Sequence, residues 1–228
     1  MADRPRLRVR CCGPRSLRVR ARCGAGLGDD ATLTTIRAAF TEPEDPTTLD
    51  LDSKRIGDEG AAAVLGAALG AMDAPLPFEE IWLHHNQLTA AGMRSIADGM
   101  GRGRLPNLRT VLAGGNPALG DGGVVALAEA LADCASLEEL SFFGCGVGGA
   151  GFEAVAAVVP RWPRLRYLHA YSNPGPSDAL GRALAAALPS LPDAERFDLV
   201  GSRLGEEAAA ELRAAEAAAG SAVKLYST

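Results

Sequence analysis

The sequence predicts an α/β stack of strand–turn–helix repeats, and three observations carry that expectation. The stretch LEELSFFGCGVGGAGFEAVAAVV, residues 137–159, is the clearest unit. In it Leu137, Leu140 and Phe142 have the apolar spacing of a short strand, Cys145 and Val147 carry the chain round a corner, and Gly151 to Val159 reads as a returning helix. Its anchor Leu140 has equivalents at Leu49, Ile81, Val111, Leu168 and Phe197, so that successive anchors fall 32, 30, 29, 28 and 29 residues apart. Two positions after each anchor stand Leu51, Leu83, Ala113, Phe142, Ala170 and Leu199, all apolar and on the anchor's side of a strand, because side chains alternate. One such unit cannot bury its own apolar face, so the copies must stack.

In chain order, residues 1–45 read as a basic leader with a degenerate N-terminal cap repeat, 46–221 as six repeats, and 222–228 as a C-terminal edge strand and tail. In the leader, LRVR occurs at Leu7 to Arg10 and at Leu17 to Arg20, each alternating as a strand does. As a cap, Leu17 and Val19 would supply a strand, Leu27 the turn and Ala31 to Phe40 a helix, covering the first sheet edge. A disordered tail and an Arg-rich transit peptide are the other two readings of this stretch. Scarce Ser and the breakers Pro5, Gly13 and Pro14 oppose the transit peptide. TEPEDP, from Thr41, is a polar loop into repeat one. A PLP turn leads to repeat two, the Asn116-Pro117 turn makes repeat three one residue longer, and PRWP joins repeats four and five. Repeat six has the most charged helix, as suits an outer face, and Val223 and Leu225 keep a final strand-like alternation.

Five positions after each anchor stand Lys54, Asn86, Asn116, Cys145, Asn173 and Ser202, mostly small residues able to bond the backbone where a strand turns inward. Apolar turn residues follow at Ile56, Leu88, Leu119, Val147 and Leu204, often with Gly after them, as in IGDEG, LGDGG and VGGAG. The pattern LxxLxLxx(N/C)x(I/L/V)GxxG followed by a helix resembles the leucine-rich repeat in its longer, ribonuclease-inhibitor-like form. The resemblance covers roughly Pro46 to Ser221, with departures at Lys54, Ser202 and the SNPGPSD turn. It implies a right-handed solenoid, a horseshoe arc with a parallel sheet on the concave side and helices on the convex side. It does not imply one activity, since the architecture serves inhibitors, receptors and scaffolds.

The net charge of −5 is unevenly placed: residues 1–22 hold eight Arg and one Asp, which leaves −12 for the rest. An acidic solenoid repels phosphate, so no nucleic-acid partner is expected. No window has the length and apolarity of a membrane span and no signal-peptide core is evident. The five cysteines, Cys11, Cys12, Cys23, Cys134 and Cys145, lack the spacing of a disulfide framework, which points to a cytoplasmic protein.

Function should lie on strand residues that face away from the core, just before the anchor, just after it and three after it. The first column is Thr48, Glu80, Thr110, Glu139, Tyr167, Arg196; the second is Asp50, Trp82, Leu112, Ser141, His169, Asp198; the third is Asp52, His84, Gly114, Phe143, Tyr171, Val200. Four of the chain's few aromatics, Trp82, Phe143, Tyr167 and Tyr171, fall here, with His84 and His169, and His85 is next to them. Phe143 and Tyr171 should touch across adjacent strands. Gly114 should leave a notch bordered by Trp82 and Leu112, and the rim of Asp50, Asp52, Glu80, Glu139 and Asp198 should be acidic.

Aromatics rimmed by charge are the usual anchors of a protein interface, so the expected role is a scaffold or adaptor, a monomer binding a basic or amphipathic protein segment. The bland alternative is that the aromatics only cover the sheet and Gly114 relieves crowding. An enzyme is the competing class, but GxxxxGK[ST], GxSxG and HExxH are all missing and no carboxylate is placed in sequence to orient His84 or His85. His84 and His169, three strands apart, should be too distant to share a metal, and no cofactor is expected. The repeat type also resembles that of the Ran GTPase activators, whose functional residues find no counterpart here. A fragment of a larger leucine-rich-repeat receptor is the remaining alternative.

Overall fold

The computed structural model describes residues 47–53, 56–57, 63–72, 74–219 and 224–226; the leader, the cap and Lys54 lie outside them. Seven three-residue strands form one parallel sheet in sequence order. They are β1 Thr48–Asp50, β2 Glu80–Trp82, β3 Thr110–Leu112, β4 Glu139–Ser141, β5 Tyr167–His169, β6 Arg196–Asp198 and β7 Lys224–Tyr226. The alternating helices are α1 Ala63–Ala71, α2 Ala90–Met100, α3 Gly120–Leu131, α4 Gly149–Val158, α5 Asp178–Ala187 and α6 Glu206–Ala219. This is an open right-handed α/β solenoid.

The anchor column is the sheet's register: Leu49, Ile81, Val111, Leu140, Leu168, Phe197 and Leu225 pair strand to strand in that order. From Leu49 to Phe197 every anchor is at most 1% exposed, and so is every residue two positions later. Burying side chains of this size stabilises by about 1.5–3 kcal/mol each, so the stacked columns are the core. The strands stay short because the chain turns inward at the position five after the anchor.

There Asn86 donates to Leu51 O (2.9 Å) and Leu83 O (3.0 Å), while its Oδ1 accepts from Ile56 N–H (3.0 Å). Asn116 repeats this on Leu83 O, Ala113 O and Leu88 N–H, and Asn173 on Phe142 O, Ala170 O and the N–H groups of Cys145 and Val147. Each Asn thus joins its own repeat to the one before and satisfies carbonyls and N–H groups that the turn would orphan. Cys145 keeps a weak version, Sγ–H to Ala113 O at 3.3 Å, and the Ser202 hydroxyl bonds Leu199 O in its own repeat and, at 2.8 Å, Ser177 Oγ in the repeat before. Cys134 and Cys145 are buried free thiols, each pushed by burial up to about 11.

Two further columns are plain only in three dimensions. Six residues before the anchor, Leu105, Cys134, Trp162 and Leu191 are all buried, so the tryptophan of PRWP is core while its neighbours are exposed connection. Trp162 is fully buried and its indole N–H donates to Leu131 O at 2.9 Å. Between the helices, Asp121 at the start of α3 accepts from Gly148 and Gly151 N–H at the start of α4, and Asp178 accepts from Gly205 N–H. An acidic residue thereby caps the next helix rather than its own. Gly66 of α1 and Gly99 of α2 allow those helices to touch, since a Cβ at Gly66 would land on Ser95 O.

Candidate functional site

The three outward columns form a grid on the concave sheet, with each of the six repeats contributing one residue to each, two from the strand and one just after it. Phe143 and Tyr171, just after β4 and β5, stack face to face with ring centroids 4.7 Å apart and planes 1° apart. His84 meets the edge of Phe143 at 5.3 Å, and His85 does so at 5.8 Å. His84 follows β2, yet it reaches β4 and lies 3.2 Å from Ser141 Oγ. Gly114, just after the intervening β3, makes this possible.

No notch is open there. A Cβ at Gly114 would collide with the Phe143 ring, which covers this buried glycine. The concave curl brings side chains from alternate strands together over a residue without one, and spacing along the sequence does not reveal that.

His85 sits where the strand ends, four positions after the anchor. Here the backbone is left-handed in every repeat: Ser53, His85, Gly115, Gly144, Ser172 and Gly201 have φ between 51° and 73°. Glycine tolerates this conformation without a steric penalty, whereas His pays for it. The His85 ring lies over Gly115, occupying the space of a Cβ there, and is exposed.

The acidic rim is less uniform than the columns suggest. Asp198 is only 5% exposed; it pairs with Arg196 at 2.8 Å and accepts from Val200 N–H. Asp52 accepts from His84 N–H at 2.6 Å, and Asp50 from Asp52 N–H at 3.1 Å. These three carboxylates fasten the ends of strands. Glu139 is 3.6 Å from His169, and burial followed by the charge of Glu80 raises its pKa. The Glu80 carboxylate has no hydrogen-bond or ion-pair partner among the described residues, though its backbone N–H donates to Thr47 O.

Tyr167 stacks on His169 at 6.5 Å and donates to Glu195, which also pairs with Arg166. Arg109, Glu138, Arg166 and Glu195 form an alternating charge ladder just before the strands, with Arg109 to Glu138 at 2.9 Å. Trp82 is half-buried beside Leu112, and its buried indole Nε1 has no hydrogen-bond partner among the described residues. A buried donor left unmet costs about 1–3 kcal/mol, so Trp82 is the least satisfied ring on the face.

Residues 133–156, most of repeat four, match a family model described as Leucine Rich repeat. The fold is a leucine-rich-repeat solenoid. Among solved structures it is similar to internalin C2 from Listeria monocytogenes, with 13% identity over 86% of this chain and 84% of that one and a TM-score of 0.39. It is also similar to a chain of the yeast Rad7 and Elc1 complex, with 14% identity over 78% of this chain and 48% of that one and a TM-score of 0.45. No curated protein matches the chain.

On the solenoid's concave face, Asp52, His84 and Ser141 stand in the order of a nucleophile relay, with Asp52 Oδ2 3.9 Å from Nδ1 and Ser141 Oγ 3.2 Å from Nε2. That first gap is too long for an orienting hydrogen bond. Ser141 is 1% exposed, and nearby N–H groups are spent on sheet carbonyls: Phe142 on His169, Ala113 on Ser141, Gly115 on Phe143. Burial, then His85 and His169, lowers the His84 pKa to about 4, so the ring is neutral near pH 7 and forms no ion pair with Asp52. The trio orders the surface and leaves no exposed nucleophile. Among the described residues no three His, Cys, Asp or Glu side chains converge as a metal requires, and no helix is long and apolar enough to cross a membrane.

Proposed function

We propose that this solenoid is a non-catalytic protein-binding module, a scaffold or adaptor, which meets a basic or amphipathic protein segment on its concave sheet. The observation that carries this reading is the patch of Trp82, His84, His85, Phe143 and Tyr171. Four of these rings touch one another and Trp82 stands two positions before His84, a partly exposed group in a chain with only 5% aromatic residues. Rings already ordered by stacking lose little conformational freedom on binding, which is what an interface anchor needs. The solvent-facing carboxylates Glu80 and Glu139 support a basic partner. Repeats of 28–32 residues, each with a strand and a helix, support the ribonuclease-inhibitor-like form. Two buried reduced thiols support a cytoplasmic setting.

The test is a lysate pull-down with mass spectrometry, comparing the parent with a folded variant carrying Trp82→Ala, Phe143→Ser and Tyr171→Ser. Partners held by the parent and lost by the variant are expected. Equal capture would mean that the rings only cover the sheet.

A further inference from the structure

The concave face carries two kinds of feature at opposite ends of its short strands. At one end, in the column before the anchors, Glu80 and Glu139 flank Thr110 across one intervening strand. Their Cα atoms are therefore about 10 Å apart, a span that two glutamate side chains can close on a single head group. At the other end, in the column three after the anchors, lies the Phe143–Tyr171 stack. Four residues of extended chain separate the columns, or about 13 Å.

Other charges on the face are already committed. Asp50, Asp52 and Asp198 hold N–H groups of their own strand ends or of the next strand, and Asp198 also holds Arg196. His169 stands by Glu139 but does not neutralise it near pH 7, because burial and then Arg196 lower the His169 pKa and keep the ring uncharged. Among the described residues, two like-charged carboxylates thus share one half-buried place with no cation between them. Burial of one and repulsion by the other both disfavour the ionised form of Glu139. A cation entering there would form charge-assisted hydrogen bonds to both carboxylates and remove the repulsion.

Building on the concave-face reading, we infer that Glu80 and Glu139 form a subsite for a lysine or arginine side chain of the partner, while an apolar partner side chain about 13 Å away lies on Phe143 and Tyr171. In an extended partner segment running along the strands, those two side chains are four residues apart. Leu112 and Trp82, between the two subsites, face the intervening residues.

The probe is a set of immobilised degenerate peptide libraries, each fixed at one central residue as Lys, Arg, Gln or Glu, presented to the full chain. The Lys and Arg libraries should retain at least tenfold more protein than the Glu library, with aromatic or aliphatic residues selected four positions from the fixed one. Glu80→Gln with Glu139→Gln keeps side-chain size and removes the repulsion, so it should fold as the parent does. It should lose the preference for Lys and Arg and still retain peptides rich in apolar residues. The Trp82→Ala, Phe143→Ser, Tyr171→Ser variant should retain none.

If Lys and Arg are no better than Gln and Glu, or if the double Gln variant keeps the preference, the cation subsite is wrong. Loss of retention by the aromatic variant alone would then leave the concave face standing as the binding surface. No retention of any library by the parent, or equal retention by the aromatic variant, would overturn both.

Discussion

His85 and His84 show how much a single position can hold. Replacing His85 with Gly puts the residue found at 115, 144 and 201 into the same left-handed turn. Stability should be unchanged or higher by up to about 1 kcal/mol in urea unfolding, with affinity for the captured partner reduced. A clear loss of stability would mean that His85 is there for packing and not for binding.

His84 makes folding depend on pH. Its folded pKa of about 4 lies below the ordinary histidine value of 6.5, so between those values the unfolded chain binds the extra proton. The stability this residue contributes is present above about pH 6.5 and declines as pH falls toward 4, with a ceiling of about 3 kcal/mol. Comparing urea midpoints of the parent and His84→Gln at pH 7.5 and pH 5 isolates it: the parent should lose more on acidification, and equal losses would contradict the burial of a neutral ring.

Among the elements, the inward turn does most to join one repeat to the next. Asn116 makes three hydrogen bonds of 3.2 Å or less to two repeats, whereas Cys145 in the same column offers one weak donor to Ala113 and Phe143 carbonyls. Asn116→Ala should cost roughly 3 kcal/mol, because buried carbonyls lose their donor, and Cys145→Ala about 1 kcal/mol. Equal effects in denaturant titrations would show that the ladder contributes little. This column was legible in the sequence, and so were the anchors, since a fixed period and small polar residues leave a direct trace.

Other features of the elements left none. The left-handed column is hidden because Ser and His stand in for Gly at three of six places, and Trp162 is hidden because PRWP reads as a connector. Asp121 and Asp178 act on the next repeat, a relation visible only once the repeats are stacked. In the candidate site the Phe143–Tyr171 contact followed from the column. The filling of Gly114 and the internal pairing of Asp198 did not, because both depend on side-chain direction and on the curl of the sheet.

At the scale of the whole molecule, stability is shared between neighbours, so damage to one repeat should spread. Leu140 is 1% exposed at the centre of the sheet, between Val111 and Leu168. Leu140→Asp buries a charge with no partner and should unfold the array around repeat four, seen as lost helical circular dichroism and rapid proteolysis. A variant as stable as the parent would mean that the register is wrong.

The two faces of the solenoid also provide an internal control. On the convex side α2, α3 and α4 border an open groove of about 590 Å³ whose lining includes exposed Arg94 and Glu129. The most direct measurement is calorimetric titration of the captured partner into three folded proteins: the parent, the Trp82→Ala, Phe143→Ser, Tyr171→Ser variant, and an Arg94→Ser, Glu129→Ser variant. If the concave sheet is the binding face, the aromatic variant should bind at least tenfold more weakly, a loss of about 1.4 kcal/mol or more, with the convex variant unchanged. Full affinity in the aromatic variant and a loss in the convex one would contradict it.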